Sequence, residues 1–283
     1  MSFSRRFDGK SVIVTGASAG VGADVARAFA RAGARLMLVA RGKEALREFA
    51  ATLESTTKVA TCAMDVSDTA ACRDLIKRTQ HEFGSVNFLV NNAGAHHRGN
   101  FETIETDQIG QMVDVNLRAP LVLAHLALPS IQASGGGAII NIASIAGTTP
   151  VPGSAVYSAT KFGLRAFTLA LSEELRGTNV HVGAVSPGPI DTGFIMTDID
   201  GVTDLTFSQP MSAPEEVADA VLRVALAERV EIKMPTISGI LGDIGYQFPW
   251  VKRMLRPMLE RRGRKAKAFY KARAATLSSE DDA

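Results

Sequence analysis

Tyr157 and Lys161 stand four residues apart, the spacing that brings two side chains onto one helix face, one turn from each other. A free tyrosine titrates near ~10 and is a poor base at neutral pH. A neighbouring ammonium favours the phenolate and draws that value down. Ser144, a hydroxyl donor, could polarise a carbonyl oxygen that Tyr157 then protonates. Such a trio suits the exchange of a proton with an oxygen whose carbon changes oxidation state. A second group is Thr15-Gly16-Ala17-Ser18-Ala19-Gly20-Val21-Gly22. Glycines in a turn that opens a helix let the backbone approach a diphosphate, which the free N–H groups and positive dipole end then hold.

The elements that must position these residues are legible as periodicities. Short apolar, β-rich runs predict strands over 11–15, 35–40, 58–63, 86–91, 138–143, 180–186 and 230–234. Amphipathic stretches between them predict helices over 20–32, 43–53, 69–83, 106–131, 155–176 and 214–227; in the first, Val21, Val25, Phe29 and Ala32 recur every three or four residues. Strand–helix alternation implies right-handed crossovers and a parallel sheet covered on both faces. The expected fold is therefore α/β, a doubly wound, seven-stranded parallel sheet in one domain over 1–240. A basic, amphipathic, helical extension over 241–283 with a disordered acidic end should follow. Gly135–Gly137 reads as a helix end entering the next strand. The glycine turn falls between the first strand and the first helix, where a dinucleotide site belongs.

With its G-x-x-x-G-x-G spacing, the chain resembles the short-chain dehydrogenase/reductase family over about residues 8–235. Asn91-Asn92-Ala93-Gly94 matches that family's N-N-A-G after the fourth strand, Asn116 its helix asparagine and Ser144 its fifth-strand serine. Tyr157 and Lys161 match its Y-x-x-x-K pair; Pro187-Gly188 followed by Thr192 matches its P-G motif and threonine. The resemblance implies a Rossmann fold and hydride transfer between a nicotinamide cofactor and a carbonyl or alcohol. It also implies that Lys161 holds the nicotinamide ribose and that Asn116 positions a proton-carrying water. Cofactor contacts are expected at Gly16, Ser18, Gly20, Val21, Gly22, Asp65, Val66, Asn92, Ala93, Gly94, Tyr157, Lys161, Pro187, Gly188, Ile190 and Thr192. Asp65 could equally cap the helix that follows it.

An acidic residue ending the second strand would accept the adenosine ribose and repel a 2′-phosphate. Here that strand ends in Ala40-Arg41; Arg41 offers a planar fork to phosphate, so NADP(H) is expected. The alternatives are an NAD-linked alcohol dehydrogenase and a catalytically silent cofactor-binding scaffold. A silent protein would have no chemical need for Ser144, Tyr157, Lys161 and Asn116 together. The connection over 193–211 carries Phe194, Ile195, Met196, Ile199, Val202, Leu205 and Phe207, with Asp198, Asp200 and Asp204 between them. It reads either as an apolar lid over a lipophilic ketone or acyl substrate or as a segment packed on the protein itself. His96 and His97 are expected on the rim of the substrate entrance; adjacent loop residues chelate one ion poorly, so no metal is expected.

The 46% hydrophobic and 21% charged composition excludes a disordered chain, and two cysteines exclude a disulfide scaffold. No run approaches the ~20 apolar residues of a membrane span, and the N-terminus lacks a signal peptide's apolar core; a cytoplasmic homodimer or homotetramer is expected. The net charge of +2 conceals an asymmetry. Residues 250–273 hold ten Lys or Arg against Glu260, hence +9, and the remainder carries −7. Trp250, Met254, Leu255, Met258 and Leu259 recur there at helical spacing. Pro257 should kink this helix or begin a second one. The stripe fits peripheral contact with an anionic membrane, or packing on the body or a second subunit. No nucleic-acid motif accompanies the charge.

Overall fold

The computed structural model describes residues 3, 5–192, 195 and 199–281, with side chains at all of these except 252 and 273–281. The strands are β1 Ser11–Thr15, β2 Arg35–Ala40, β3 Val59–Ala63, β4 Phe88–Asn91, β5 Gly137–Ile142, β6 Val180–Pro187 and β7 Glu231–Met234. They form one parallel sheet in the order β3-β2-β1-β4-β5-β6-β7. Helices α1 Gly20–Arg31, α2 Lys43–Ala51, α3 Thr69–Phe83, α4 Thr106–Val113, α5 Ala119–Ala133, α6 Ala155–Glu174 and α7 Pro214–Ala225 connect them.

Consecutive apolar strand residues are buried because each face of the sheet has its own helical cover. Val12 and Val14 of β1 and Leu36 and Leu38 of β2 pack with Val25 and Phe29 of α1 and Val217 and Val221 of α7. The intervening Ile13, Met37 and Val39 join Leu75 of α3 and Leu123 and Ile131 of α5 on the opposite face. The order of connection reverses between β1 and β4, and a doubly wound sheet opens a crevice at the carboxyl ends of such strands. The glycine turn and Asn92 meet there.

Several local expectations are refined. The helix expected over 106–131 is interrupted by a π-helical turn, Asp114–Arg118; such a turn inserts a residue and redirects side chains. Asp65 is not the cap of α3: Asp68 accepts the N–H groups of Ala70 and Ala71. Asp65 instead accepts from Ser67 N and Oγ at 2.8 and 2.7 Å.

The extension is two helices, α8 Thr236–Gln247 and α9 Pro249–Asp281, and α9 runs uninterrupted past Pro257. It folds back onto the body. Ile195, Val202 and Phe207 form a small core with Ile199, Met211 and Ala266 and Tyr270 of α9. Lys267 Nζ donates to the carbonyls of Asp200 and Val202 at 3.0 and 2.6 Å. Lys271 pairs with Asp200, and Arg264 approaches Asp204 at 3.8 Å. The apolar connection therefore packs on α9, while Ile195, Val202 and Leu205 also line the cavity that Tyr157 faces; its acids neutralise part of the tail's charge. Gly193, Phe194, Met196 and Asp198 lie outside the described residues, as does the acidic end beyond 281.

Candidate active site

Thr15, at the end of β1, and Asn92, just beyond β4, close the crevice floor. Thr15 Oγ1 accepts from the N–H groups of Asn92 and Ala93, both at 3.0 Å. Asn92 Nδ2 donates to the carbonyls of Thr15 and Gly16 at 2.9 and 3.1 Å. The amide of Asn92 thus holds the glycine turn. The turn requires glycine at two positions: a Cβ on Gly22 would stand 2.1 Å from Gly16 O, and Gly16 has φ +66°. Helix α1 starts at Ala19 with no side-chain cap, leaving its first N–H groups for a ligand anion. A tight glycine cradle over an uncapped helix fits a dinucleotide diphosphate. Gly94, Pro187, Gly188, Ile190 and Thr192 continue the cleft wall with Val21 and Ala93. Arg41 is exposed at the end of β2, and its charge reaches the Asp65 carboxyl, which Ser67 holds below the usual range. Val66 is buried behind them. Ser18 and Gly20 lie on the turn itself, where Gly20 has φ +54°.

The reacting end lies where β5 stops and α6 begins. Ser144 starts a short 3-10 turn, Ile145–Gly147, with its Oγ accepting from Ala146 N at 3.1 Å. The Ser144 hydroxyl donates to Pro187 O at 3.4 Å and lies near enough to the Tyr157 phenol to favour its ionised form. Lys161, one turn on, is 4% exposed; its Nζ donates to Ile142 O at 2.8 Å and lies 5.6 Å from the Tyr157 ring centroid. Burial alone pulls its ammonium down to about 8, because a buried charge has lost its water.

Tyr157 departs from the expected direction. Burial pushes its phenol above the ordinary range; the Ser144 hydroxyl and the Arg98 charge pull the other way without prevailing. Lys161, aimed at Ile142, does not supply the lowering that its spacing alone suggests.

Asn116 sits in the π turn, fully buried. Its Oδ1 accepts from Ala95 N and its Nδ2 donates to Ala95 O, both at 2.8 Å, and also to Thr160 Oγ1 at 3.3 Å. It braces the segment after Asn92 against α6, and its amide bonds to Ala95 and Thr160 rather than to Lys161.

The sequence suggests that His96 lines the substrate entrance, and the structure sets it on the cavity wall against the reacting tyrosine. Its ring stacks on Tyr157 with centroids 4.0 Å apart and planes 17° from parallel, and Nε2 is 3.0 Å from Ser154 Oγ. Burial, with Arg98 and Lys161 nearby, pulls its imidazolium down to about 3, so the ring is neutral. His97 turns elsewhere, to Gln111 Oε1 at 2.6 Å. Arg98 joins His96 on the cavity wall.

Ser144, Tyr157, Lys161 and His96 open into a cavity of about 870 Å³ that runs on to the glycine turn at Gly16, Val21 and Gly22. Its outer wall was not foreseen. Ile237, Leu241 and Ile244 of α8 and Val251, Leu255 and Leu259 of α9 line it. The apolar helical spacing of the tail was the available signal, but its periodicity could not say which surface it faced.

A family profile described as short chain dehydrogenase matches residues 10–201. The chain is 34% identical over 230 residues to the ketoacyl reductase HetN of Nostoc, covering 79% of this chain and 78% of that protein. It is 35% identical over 238 residues to sulfoacetaldehyde reductase 2 of Chromohalobacter salexigens, covering 80% and 94%. An oxidoreductase of Staphylococcus epidermidis is 35% identical over 213 residues, 75% of this chain and 89% of that protein. The match begins just before β1 and spans the glycine turn, the Ser144 turn and the Tyr157 helix, and on this ground the chain belongs to the short-chain dehydrogenase/reductase family of oxidoreductases.

Proposed function

We propose that this enzyme is an NADP(H)-dependent carbonyl reductase acting on a lipophilic ketone or acyl substrate. The observation that carries the reading is that Ser144, Tyr157 and Lys161 come together on the wall of one predominantly apolar cavity, closed on its outer side by α8 and α9. Members of the family bind nicotinamide dinucleotides, which supply or accept the hydride. Arg41, exposed at the end of β2 with no carboxylate beside it on that strand, favours the 2′-phosphate of NADP(H). The two reductases among the relatives act by name on a ketoacyl group and on sulfoacetaldehyde; the apolar wall favours the former kind of substrate here.

In this reading Ser144 donates a hydrogen bond to the substrate oxygen and polarises the carbonyl. Tyr157 transfers its hydroxyl proton to that oxygen as the carbon is reduced, and withdraws it in the reverse direction. A phenol held above its ordinary range keeps its proton at neutral pH, as an acid for reduction must. Lys161, with its ammonium drawn down to about 8, is placed to hold the nicotinamide ribose and return a proton to Tyr157. Asn116 keeps the Ala95 segment in register with Thr160 and so braces both. The apolar wall excludes water from the oxygen being protonated. A homodimer or homotetramer remains the proposed assembly.

The test is a panel of short and long ketones and 3-ketoacyl thioesters, assayed with NADPH and with NADH by loss of reduced-cofactor absorbance. The reading expects NADPH-dependent turnover whose kcat/KM rises with chain length. Turnover confined to short polar aldehydes, or to NADH, would overturn it.

A further inference from the structure

On α8 and at the residue that ends it, Ile237, Ile240, Leu241, Ile244 and Phe248 are 44–72% exposed, and their spacing gathers them on one helical stripe. On α9, Trp250, Met254 and Met258 are 62–66% exposed and recur every fourth residue. Arg261 and Lys265 continue the same stripe at the same helical period. Monomeric proteins rarely leave so many contiguous apolar side chains in water without a partner for them.

The charge on this face differs from that on the rest of the tail. Arg256 is paired with Glu260, Arg264 with Asp204 and Lys271 with Asp200, and Lys267 is spent on backbone carbonyls. Arg253, Arg261 and Lys265 have no acidic partner among the described residues, and Arg262 lines the active-site cavity. The cations that face the body are therefore neutralised, whereas those beside the apolar stripe are left for something outside it. Ile237, Leu241, Ile244 and Met258 belong to both surfaces at once, exposed to solvent and lining the active-site cavity. The cavity mouth thus opens through the apolar patch.

We propose that α8 and α9 form a docking face for an anionic lipid bilayer, with the cavity mouth pressed against it. An acidic protein would answer the cations but not the apolar stripe; a bilayer with anionic headgroups answers both. The exposed apolar side chains enter the headgroup–acyl boundary and Arg253, Arg261 and Lys265 lie among the phosphates. No helix among the described residues is long and apolar enough to cross a membrane, so the contact is peripheral. If the lipophilic-substrate reading above holds, a carbonyl compound dissolved in the bilayer passes directly between Ile237, Leu241 and Met258 to Tyr157.

The chain contains a single tryptophan, and Trp250 lies on the docking stripe. The full-length protein is mixed with vesicles of phosphatidylcholine alone or with phosphatidylglycerol, at low and high salt. Trp250 emission and co-sedimentation are followed. The proposal expects a blue shift and sedimentation with anionic vesicles at low salt, weakened as salt screens the cations. The triple variant Arg253→Gln, Arg261→Gln, Lys265→Gln should lower partitioning by about 100-fold. The variant Ile240→Ser with Met254→Ser should lose vesicle binding while keeping wild-type turnover of a short, water-soluble ketone, since neither residue lines the cavity. That turnover assay is separate from the binding assay, so a failed substrate reading cannot pass for a failed docking face. An unchanged Trp250 spectrum with anionic vesicles at low salt overturns the proposal, as does equal binding to neutral vesicles regardless of salt. A smaller oligomer mass in the serine variant also overturns it and assigns the face to a second copy of the chain.

Discussion

Replacing Lys161 by Met should stabilise the cofactor-free protein at neutral pH while abolishing most of its activity. The ammonium is buried, and its value falls from 10.5 to about 8 through desolvation alone. At about 1.4 kcal/mol per unit, holding it charged in the fold costs about 3 kcal/mol below pH 8. The unfolded chain binds the extra proton between about pH 8 and 10.5, so wild-type stability rises with pH across that window. Below it the full penalty is present. Methionine removes the charge and keeps the unbranched stem. It also leaves Ile142 O without its 2.8 Å donor, a loss of about 1–3 kcal/mol where no other donor replaces it. The net gain at pH 7 is therefore about 0–2 kcal/mol. The pH dependence separates the two effects, because the orphaned carbonyl does not titrate. Urea unfolding of wild type and variant at pH 7.0 and 9.5 should show the variant's relative stability falling by about 2 kcal/mol between those values. Other titrating groups are common to both proteins and cancel. A stability difference that stays constant with pH would show that Lys161 is not a desolvated cation, and the argument from its burial would fall.

Tyr157→Phe keeps the ring and its stack on His96 but removes the proton donor. Turnover should fall by about 10²–10⁴-fold with cofactor binding retained by fluorescence titration; near-normal turnover would exclude Tyr157 as the acid. Ala40→Asp with Arg41→Ala places a carboxylate where phosphate is expected, so the kcat/KM ratio for NADPH over NADH should drop by about 10–150-fold. A wild type that already prefers NADH would refute the reading of Arg41. His96→Ala removes the ring that holds Tyr157 in place and should cost up to about 10² in kcat, whereas His96→Phe, which preserves stacking, should restore most of it. Because the imidazolium is held near 3, the wild-type pH–rate profile should show no limb from this histidine above pH 5. Failure of phenylalanine to rescue would mean that the ring nitrogens matter instead.

The alternation of strand and helix was readable in the sequence because both are set by local periodicity, and each predicted strand appears within about two residues of its place. The glycine turn, the Ser144 turn and the Tyr157–Lys161 pair were readable for a related reason, since their chemistry needs particular residue types at fixed short spacings. Longer-range facts were not. Nothing local distinguishes Asp65 from Asp68 as the cap of α3, because both precede its first turn and only the backbone path selects one. Asn92 reads as a ligand contact, and the tertiary structure adds a second task, since its amide also donates to Thr15 on a neighbouring strand. His96 reads as a surface loop residue, but the fold stacks it on a tyrosine far along the chain. The tail's stripe and charge were visible, yet its place as a cavity wall depends on Lys267, Lys271 and Tyr270 meeting Asp200, Val202 and Phe207. Those contacts join segments separated by more than sixty residues. A periodic pattern says that a helix has a face; only the packed tertiary structure determines what that face meets.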